Sequence, residues 1–256
     1  MIVLKYDGTF EGFLTVVFEC YKRKLEPYNI IRASGSQEVL FTESEYIATQ
    51  HGKAGRVWQG VRKRLPRRSL QLPYRAFLSE FPEVEMNLFR FFQRLFDSEA
   101  CVETDFSDPS VLSLRKLDKK VSFEAMRMLQ FVRFQKTKDN IFFAAIEPQF
   151  DVIPLIINHF KSRFAGQQWL IYDLKRDYGI FYNLKEVEEV TLSTKQFHPI
   201  NGKVSPNILQ EQEAEYKTLW RDYFNHINIK ERKNLKVQRQ HMPRRYWKFL
   251  PEVSGG

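Results

Sequence analysis

FVRFQKTKDNIFFAAI, residues 131–146, holds two runs rich in aromatic and aliphatic residues around Lys138-Asp139-Asn140. Strand-like runs flanking a short polar turn predict a β-hairpin. A second pair follows, Trp169 to Tyr172 and Tyr178 to Tyr182, turned by Lys175-Arg176-Asp177. Between the pairs, after Pro148, Val152, Ile153, Ile156, Ile157, Phe160 and Phe164 recur at helical spacing. Hairpin, helix, hairpin predicts a small antiparallel sheet with helices on one face. Read as a strand, 131–137 puts Arg133 and Gln135 on one face and Val132 and Phe134 on the other, and Lys136 adds a cation to the segment. A face bearing Arg and Lys suits either water or a nucleic-acid backbone.

Upstream the period is mostly helical. Ile2 to Tyr6 predicts a short strand turned by Asp7-Gly8, and Phe10, Phe13, Leu14, Val17, Phe18, Tyr21 and Leu25 predict a helix capped by Thr9 and ended before Pro27. Ile30-Ile31 and Val39-Leu40-Phe41 suit short strands. Thr42 and Glu45 form a capping-box pattern for a helix reaching Leu65, whose end is crowded by Arg62, Lys63, Arg64, Arg67 and Arg68. Those cations suit the helix dipole and DNA contact about equally. Val84 to Phe96 predicts another helix, and Asp108-Pro109 opens one that runs to about Leu129. After a polar loop from Thr191 to Asn207, Tyr216, Leu219, Trp220, Tyr223, Phe224 and Ile227 stripe a last helix. A basic tail runs from Lys230 to Pro251. The expected architecture is α+β: a mainly helical region over 1–120 with a short strand start, then a domain over 121–256 of two hairpins around a helix, closed by a C-terminal helix and the tail.

The chain has 256 residues, 43% of them hydrophobic, enough for one large core or two smaller ones. Its net charge of +9 favours polyanionic partners, nucleic acid ahead of a membrane surface. No run approaches the length of a membrane span, and Met1 to Leu4 leads directly into Lys5 and Asp7 without a signal-peptide core, so a cytoplasmic protein is expected. Cys20 and Cys101 are far apart, and His51, His159, His198, His226 and His241 are scattered, so no metal or cluster is expected. Gly55 and Gly60 have P-loop spacing, but Val61-Arg62 stand where Lys and Ser or Thr belong.

His241-Met242-Pro243-Arg244-Arg245-Tyr246-Trp247-Lys248-Phe249-Leu250-Pro251 is the richest local signal. Guanidinium forks bind phosphates, and Tyr and Trp faces stack on bases. The same residues equally suit a tail whose rings pack on the core while its cations face water. Arg163 and His159 share a helix face, and Lys175 and Arg176 flank Asp173 at a turn. Asp7 and Asp173 are the carboxylates that an acid–base enzyme would draw on, each with a His.

Tyr6-Asp7-Gly8-Thr9-Phe10-Glu11-Gly12-Phe13-Leu14 resembles the opening of a bacterial family of DNA metabolism proteins. Phe131-Val132-Arg133-Phe134, Trp169-Leu170-Ile171-Tyr172-Asp173, Arg176-Asp177-Tyr178-Gly179 and the His241–Trp247 segment resemble the domain of unknown function that closes that family. The resemblance implies a radical-SAM DNA repair protein encoded nearby. A similar closing domain also stands behind uracil-DNA glycosylase-like domains. It carries over no catalytic residues, and the chain lacks both a glycosylase motif and the three-cysteine cluster site of the implied partner. The expectation is a DNA-binding protein that presents substrate to a radical-SAM enzyme. The nucleic-acid-binding residues would be Arg133, Lys136, Arg163, Lys175, Arg176, His241, Arg244, Arg245, Tyr246 and Trp247, with no cofactor or metal of its own. A stand-alone hydrolase or glycosylase-like enzyme and an RNA-binding module are the alternatives.

Overall fold

The expected first strand, β1 (Ile2–Tyr6), is present, but it is the centre of a parallel sheet and not an isolated start. The computed structural model describes residues 2–33, 43–98, 102–193, 197–198, 202–227 and 235–253, with backbone alone for 221–227 and 235. It is α+β, and the chain divides into two compact units, Met1–Ser122 and Phe123–Gly256.

In the first unit β1 pairs in parallel with β2 (Pro27–Arg32) on one side and β3 (Glu43–Tyr46) on the other. Helix α1 (Phe10–Arg23) is the crossover from β1 to β2. Thr9 caps it as expected, accepting the Gly12 N–H at 2.9 Å. A Cβ at Gly12 would meet Asp7 Oδ1 at 2.2 Å, so the turn Asp7-Gly8-Thr9 closes on α1 only over a glycine. Pro27 ends no more than the chain's approach to a strand, since it opens β2 where an edge tolerates its missing N–H. Glu45 likewise lies in β3, and the helix expected from Thr42 starts at His51 as α2 (His51–Arg64). Its polar Glu-Ser-Glu-Tyr sequence is a strand because β1 supplies its ladder, a tertiary effect that local propensity does not carry. Thr42 and Val39-Leu40-Phe41 lie outside the described residues. The short α3 (Leu72–Phe77) and α4 (Val84–Asp97) complete the layer, and Phe13, Leu88, Phe91 and Phe92 are buried with Leu4 and Val17 in the core.

Helix α5 (Pro109–Phe131) opens as expected, with Asp108 Oδ1 accepting the Val111 N–H at 3.0 Å. It runs past the expected end because Val121, Ala125, Met128 and Phe131 keep the helical period and are all buried. The strand predicted from Phe131 therefore shrinks to β4 (Gln135–Lys136), and Arg133 is not on a sheet face with Gln135.

The second unit is a five-stranded sheet ordered β4, β5 (Phe142–Ile146), β6 (Trp169–Asp173), β7 (Tyr178–Tyr182), β8 (Val187–Val190). Both predicted hairpins form, with Asn140 and Asp177 taking the positive φ their turns need. The sheet is mixed and not antiparallel, because helix α6 (Ile153–Arg163) carries the chain from β5 across to β6 as a parallel neighbour. The stretch expected as a plain loop contains an antiparallel bridge, Phe197 to Val204, and segment 205–210 lies along β4 through Lys138 N–H to Ile208 O at 2.7 Å and Gln210 N–H to Lys136 O at 3.1 Å. That segment covers the sheet edge. Helices α7 (Glu213–Ile227) and α8 (Leu235–His241) and a 3₁₀ turn, Arg244–Phe249, follow. Among the described residues no helix is long and apolar enough to cross a membrane.

Candidate nucleic-acid interface

The first residues of α7 stand over the β4 edge and form one wall of a cleft of about 1050 Å³. Two contacts place them: Glu213 accepts the Lys136 backbone N–H at 2.7 Å, and Lys217 Nζ donates to Gln135 Oε1 at 3.0 Å. The opposite wall comes from Lys203, Val204 and Phe249, and Phe142 and Ala145 contribute from β5. Phe249 packs on a buried cluster of Phe143, Ala145, Tyr172, Phe197 and Val204, which fixes the floor. Gly202 makes this possible: its φ is +62°, and a Cβ there would lie 2.1 Å from the Ala145 Cβ.

Two kinds of group line the cleft. Arg133, Lys136, Lys203, Lys217 and Lys248 bring five cations to a lining with one carboxylate, Glu213. Two of them are paired behind it, Arg133 with Glu252 at 2.7 Å and Lys248 with Glu147 at 2.5 Å. Phe134, Phe142, Tyr216, Trp220 and Phe249 bring aromatic rings. Tyr216, Leu219 and Trp220 were expected to be the core stripe of the last helix, yet they are 61%, 63% and 40% exposed. Tyr223, Phe224 and Ile227 lie where the backbone alone is described. Trp220 is held on edge by its indole N–H, which donates to Glu252 at 3.0 Å, and the Arg133 guanidinium sits 5.6 Å from its ring centre. Glu252 is buried and also takes Arg133 at 2.7 Å. One carboxylate thus orients a ring and a cation together.

Of the ten residues read from sequence as nucleic-acid contacts, the structure brings Arg133 and Lys136 into the cleft. Arg163, Lys175, His241 and Arg244 are exposed outside its lining. Arg176 is a structural residue: its side chain is only 9% exposed, and it pairs with the fully buried Asp173 at 2.7 Å and donates to Pro148 O and Gln149 O. Tyr246 is buried and gives its hydroxyl proton to Glu124, so its ring is not a free stacking face. Arg245 pairs with the same carboxylate at 3.1 Å. Trp247 is half-buried, its indole N–H donating to Met242 O at 3.0 Å. The tail is therefore pinned by Glu124, which also accepts the Gln149 N–H at 2.6 Å.

The carboxylates an enzyme would use are committed elsewhere. Asp7 accepts from Thr9 N–H and Thr9 Oγ1 on one oxygen and from Thr49 Oγ1 on the other. Burial pushes the Asp173 carboxyl above its ordinary value, against the pull of Arg176 and the Lys175 N–H. Among the described residues no histidine is a partner of either, and His159 is exposed with its ring edge-on to Phe160. Among the described residues no group of three His, Cys, Asp or Glu is placed to hold a metal ion.

No curated protein matches the sequence. Among solved structures the chain is similar to a pGpG-specific phosphodiesterase, PggH, from Vibrio cholerae, at 8% identity and a TM-score of 0.35 over 89% of this chain and 100% of that one, a likeness too slight to bear on fold or function. Residues 82–252, two thirds of the chain and the whole of the cleft, match the family described as a domain of unknown function, DUF4130, and the chain belongs to that family.

Proposed function

We propose that the protein is a DNA-binding component of DNA repair or modification, and that the cleft of the second unit holds unpaired nucleotides. The observation that carries this is the interleaving of five cations with five aromatic rings around one cleft. Phosphates take the cations and bases take the ring faces, and the two together suit a strand whose bases are unstacked. A cleft built for a neutral apolar ligand would not gather five cations, and one built for a bare anion would not gather the rings. The chemistry on the bound base would come from a radical-SAM enzyme, the partner that the family resemblance implies, since the carboxylates Asp7 and Asp173 are engaged in local structure.

The test is binding of the full chain to labelled single-stranded DNA, duplex DNA and RNA by fluorescence anisotropy across a salt series. Single-stranded DNA should bind with a log–log salt slope of roughly −3 to −5, as for about four to six neutralised phosphates. Trp220→Ala and Lys217→Ala should each weaken it. Absence of binding at low salt, or a flat slope, would remove the proposal. Equal affinity for RNA would turn it into an RNA-binding reading. Co-purification with the radical-SAM protein tests the partnership separately.

A further inference from the structure

The cleft leaves the most one-sided stretch of charge in the first unit unused. From Tyr46 to Ser79 the chain has no Asp or Glu in 34 residues, where its average of 31 in 256 would give about four, and it carries eight Lys and Arg. The unit around it is not basic to excess, with 19 Lys and Arg against 16 Asp and Glu over residues 1–122, so this stretch is a basic surface on an otherwise acidic unit. Some of its cations have local work. Lys53 pairs with Glu19 at 2.6 Å, Arg64 donates to Leu95 O and Ser98 O, and Arg75 pairs with Asp118 at 3.0 Å. Arg62, Lys63, Arg67 and Arg68 are exposed and make no hydrogen bond or ion pair among the described residues.

Helix α2 buries Ala54, Val57 and Val61, and the face opposite presents Gly52, Gly55, Arg56, Gln59, Arg62 and Lys63, all exposed. A Cβ at Gly52 or Gly55 would meet nothing within 4 Å, so the fold itself makes no demand for glycine there. In a helix each weakens it by roughly 1 kcal/mol relative to alanine. A low ridge flanked by Arg56, whose guanidinium lies 5.0 Å from the Phe18 ring centre, and by Arg62 and Lys63 lets a charged surface approach the helix backbone closely. The same face has no exposed aromatic ring to stack a base, because Trp58 is turned edge-on to Phe10. It also has no apolar residue to enter a membrane.

We propose that this face of α2, with Arg67 and Arg68 beyond its end, is a second nucleic-acid surface that grips the phosphate backbone of double-stranded DNA. It is independent of the cleft: the backbone surface takes paired DNA without regard to sequence, and the cleft takes unpaired nucleotides.

The test is the variant Arg62→Gln, Lys63→Gln, Arg67→Gln, Arg68→Gln in the full chain, titrated with duplex and single-stranded DNA over a salt series. Loss of up to four phosphate contacts should weaken duplex binding about 10- to 100-fold and flatten its salt slope by about three units, while single-strand affinity stays within about twofold. A second variant, Gly55→Leu, keeps every charge and fills empty space. It should raise or preserve the melting temperature and still weaken the duplex, a combination that misfolding does not produce. Wild-type duplex affinity and slope in the quadruple variant would overturn the proposal. So would binding of wild-type protein to phosphatidylserine vesicles as tight as to duplex at the same salt. Trp220→Ala, which acts on the single strand, separates failure of the cleft from failure of this surface.

Discussion

The hydroxyl of Tyr246 donates to the carboxylate of Glu124, joining the 3₁₀ turn near the C-terminus to the last turns of α5, 122 positions earlier. Burial, and then Glu124, push the Tyr246 phenol above its ordinary value, so it donates as a neutral hydroxyl at any physiological pH. Tyr246→Phe should cost about 1 kcal/mol, because Glu124 keeps Gln149 and Arg245 as donors. Glu124→Ala removes the acceptor of all of these donors at once, leaves the Tyr246 hydroxyl and the Gln149 N–H unsatisfied, and should cost about 2–5 kcal/mol. Urea unfolding measures both. Equal costs would mean that the carboxylate is not the hub of this contact.

In the cleft, Trp220→Ala should reduce single-strand affinity by about 1–3 kcal/mol per stacked base and cost about 1 kcal/mol of stability, since the ring is 40% exposed and Glu252 keeps Arg133 as its partner. Arg133→Ala should do the reverse in part. It leaves Glu252 buried with the indole N–H as its remaining described partner, so stability should fall by about 3 kcal/mol or more along with affinity. Anisotropy titration beside thermal melts distinguishes the two. A melt unchanged in Arg133→Ala would show that Glu252 is solvated in solution.

The fold was legible wherever one period ran unbroken. Phe10 to Tyr21, Val84 to Phe96 and Asp108-Pro109 announce helices by spacing and caps, and Trp169 to Tyr182 announces a hairpin by its turn. What was missed depends on partners elsewhere in the chain. Glu43–Tyr46 is a strand only against β1, and Val187–Val190 only against β7. The parallel pairing of β5 and β6 follows from the path of α6, which a hairpin-by-hairpin reading does not supply. Of the site, the charges at Arg133 and Lys136 were visible, but Lys203, Lys217, Lys248 and Trp220 meet them only through the covering of the β4 edge. The one available signal was the stripe Tyr216, Leu219, Trp220, whose two aromatics also suit a ligand.

Two turn carboxylates contribute to an acid limb of stability in the first unit. They act beside Asp105, which Ser107 and Arg94 hold below its ordinary value, and Glu45, which Arg23 holds below its own. At Asp7, burial raises the pKa, but hydrogen bonds from Thr49 and Thr9 outweigh it and hold the carboxyl below its ordinary value. At Asp108, burial acts the same way and is outweighed by the Val111 N–H and Arg94. A folded pKa below the unfolded one contributes stability that is complete above the unfolded value and lost as pH falls through the folded one. Stability should therefore drop below about pH 4, and Asp7→Asn with Asp108→Asn should flatten that drop while changing the neutral-pH midpoint less. Unfolding midpoints across pH 2 to 5 are the check. An unchanged acid limb in the double variant would assign it to other carboxylates.

Arg244 and Arg245 look equivalent in sequence, and the structure makes them opposites. Arg245 lies 4.6 Å from the Tyr246 ring centre and pairs with the buried Glu124, so its guanidinium is already spent on the fold. Among the described residues Arg244 has only the Trp247 face at 5.8 Å, and it is otherwise exposed. Arg244→Ala should leave the melting temperature unchanged and, if its head meets a phosphate, flatten the salt slope by about one unit. Arg245→Ala should lower the melting temperature and leave the slope alone. The loss should be modest, because its side chain is 43% exposed and solvent screens the pair, and Glu124 retains Tyr246 and Gln149. Measuring melts and slopes for the two single variants resolves what a double variant would merge. If Arg245→Ala flattens the slope as much as Arg244→Ala and melts like wild type, then Arg245 exchanges Glu124 for DNA, and the pinning of the tail is a feature of the free protein alone.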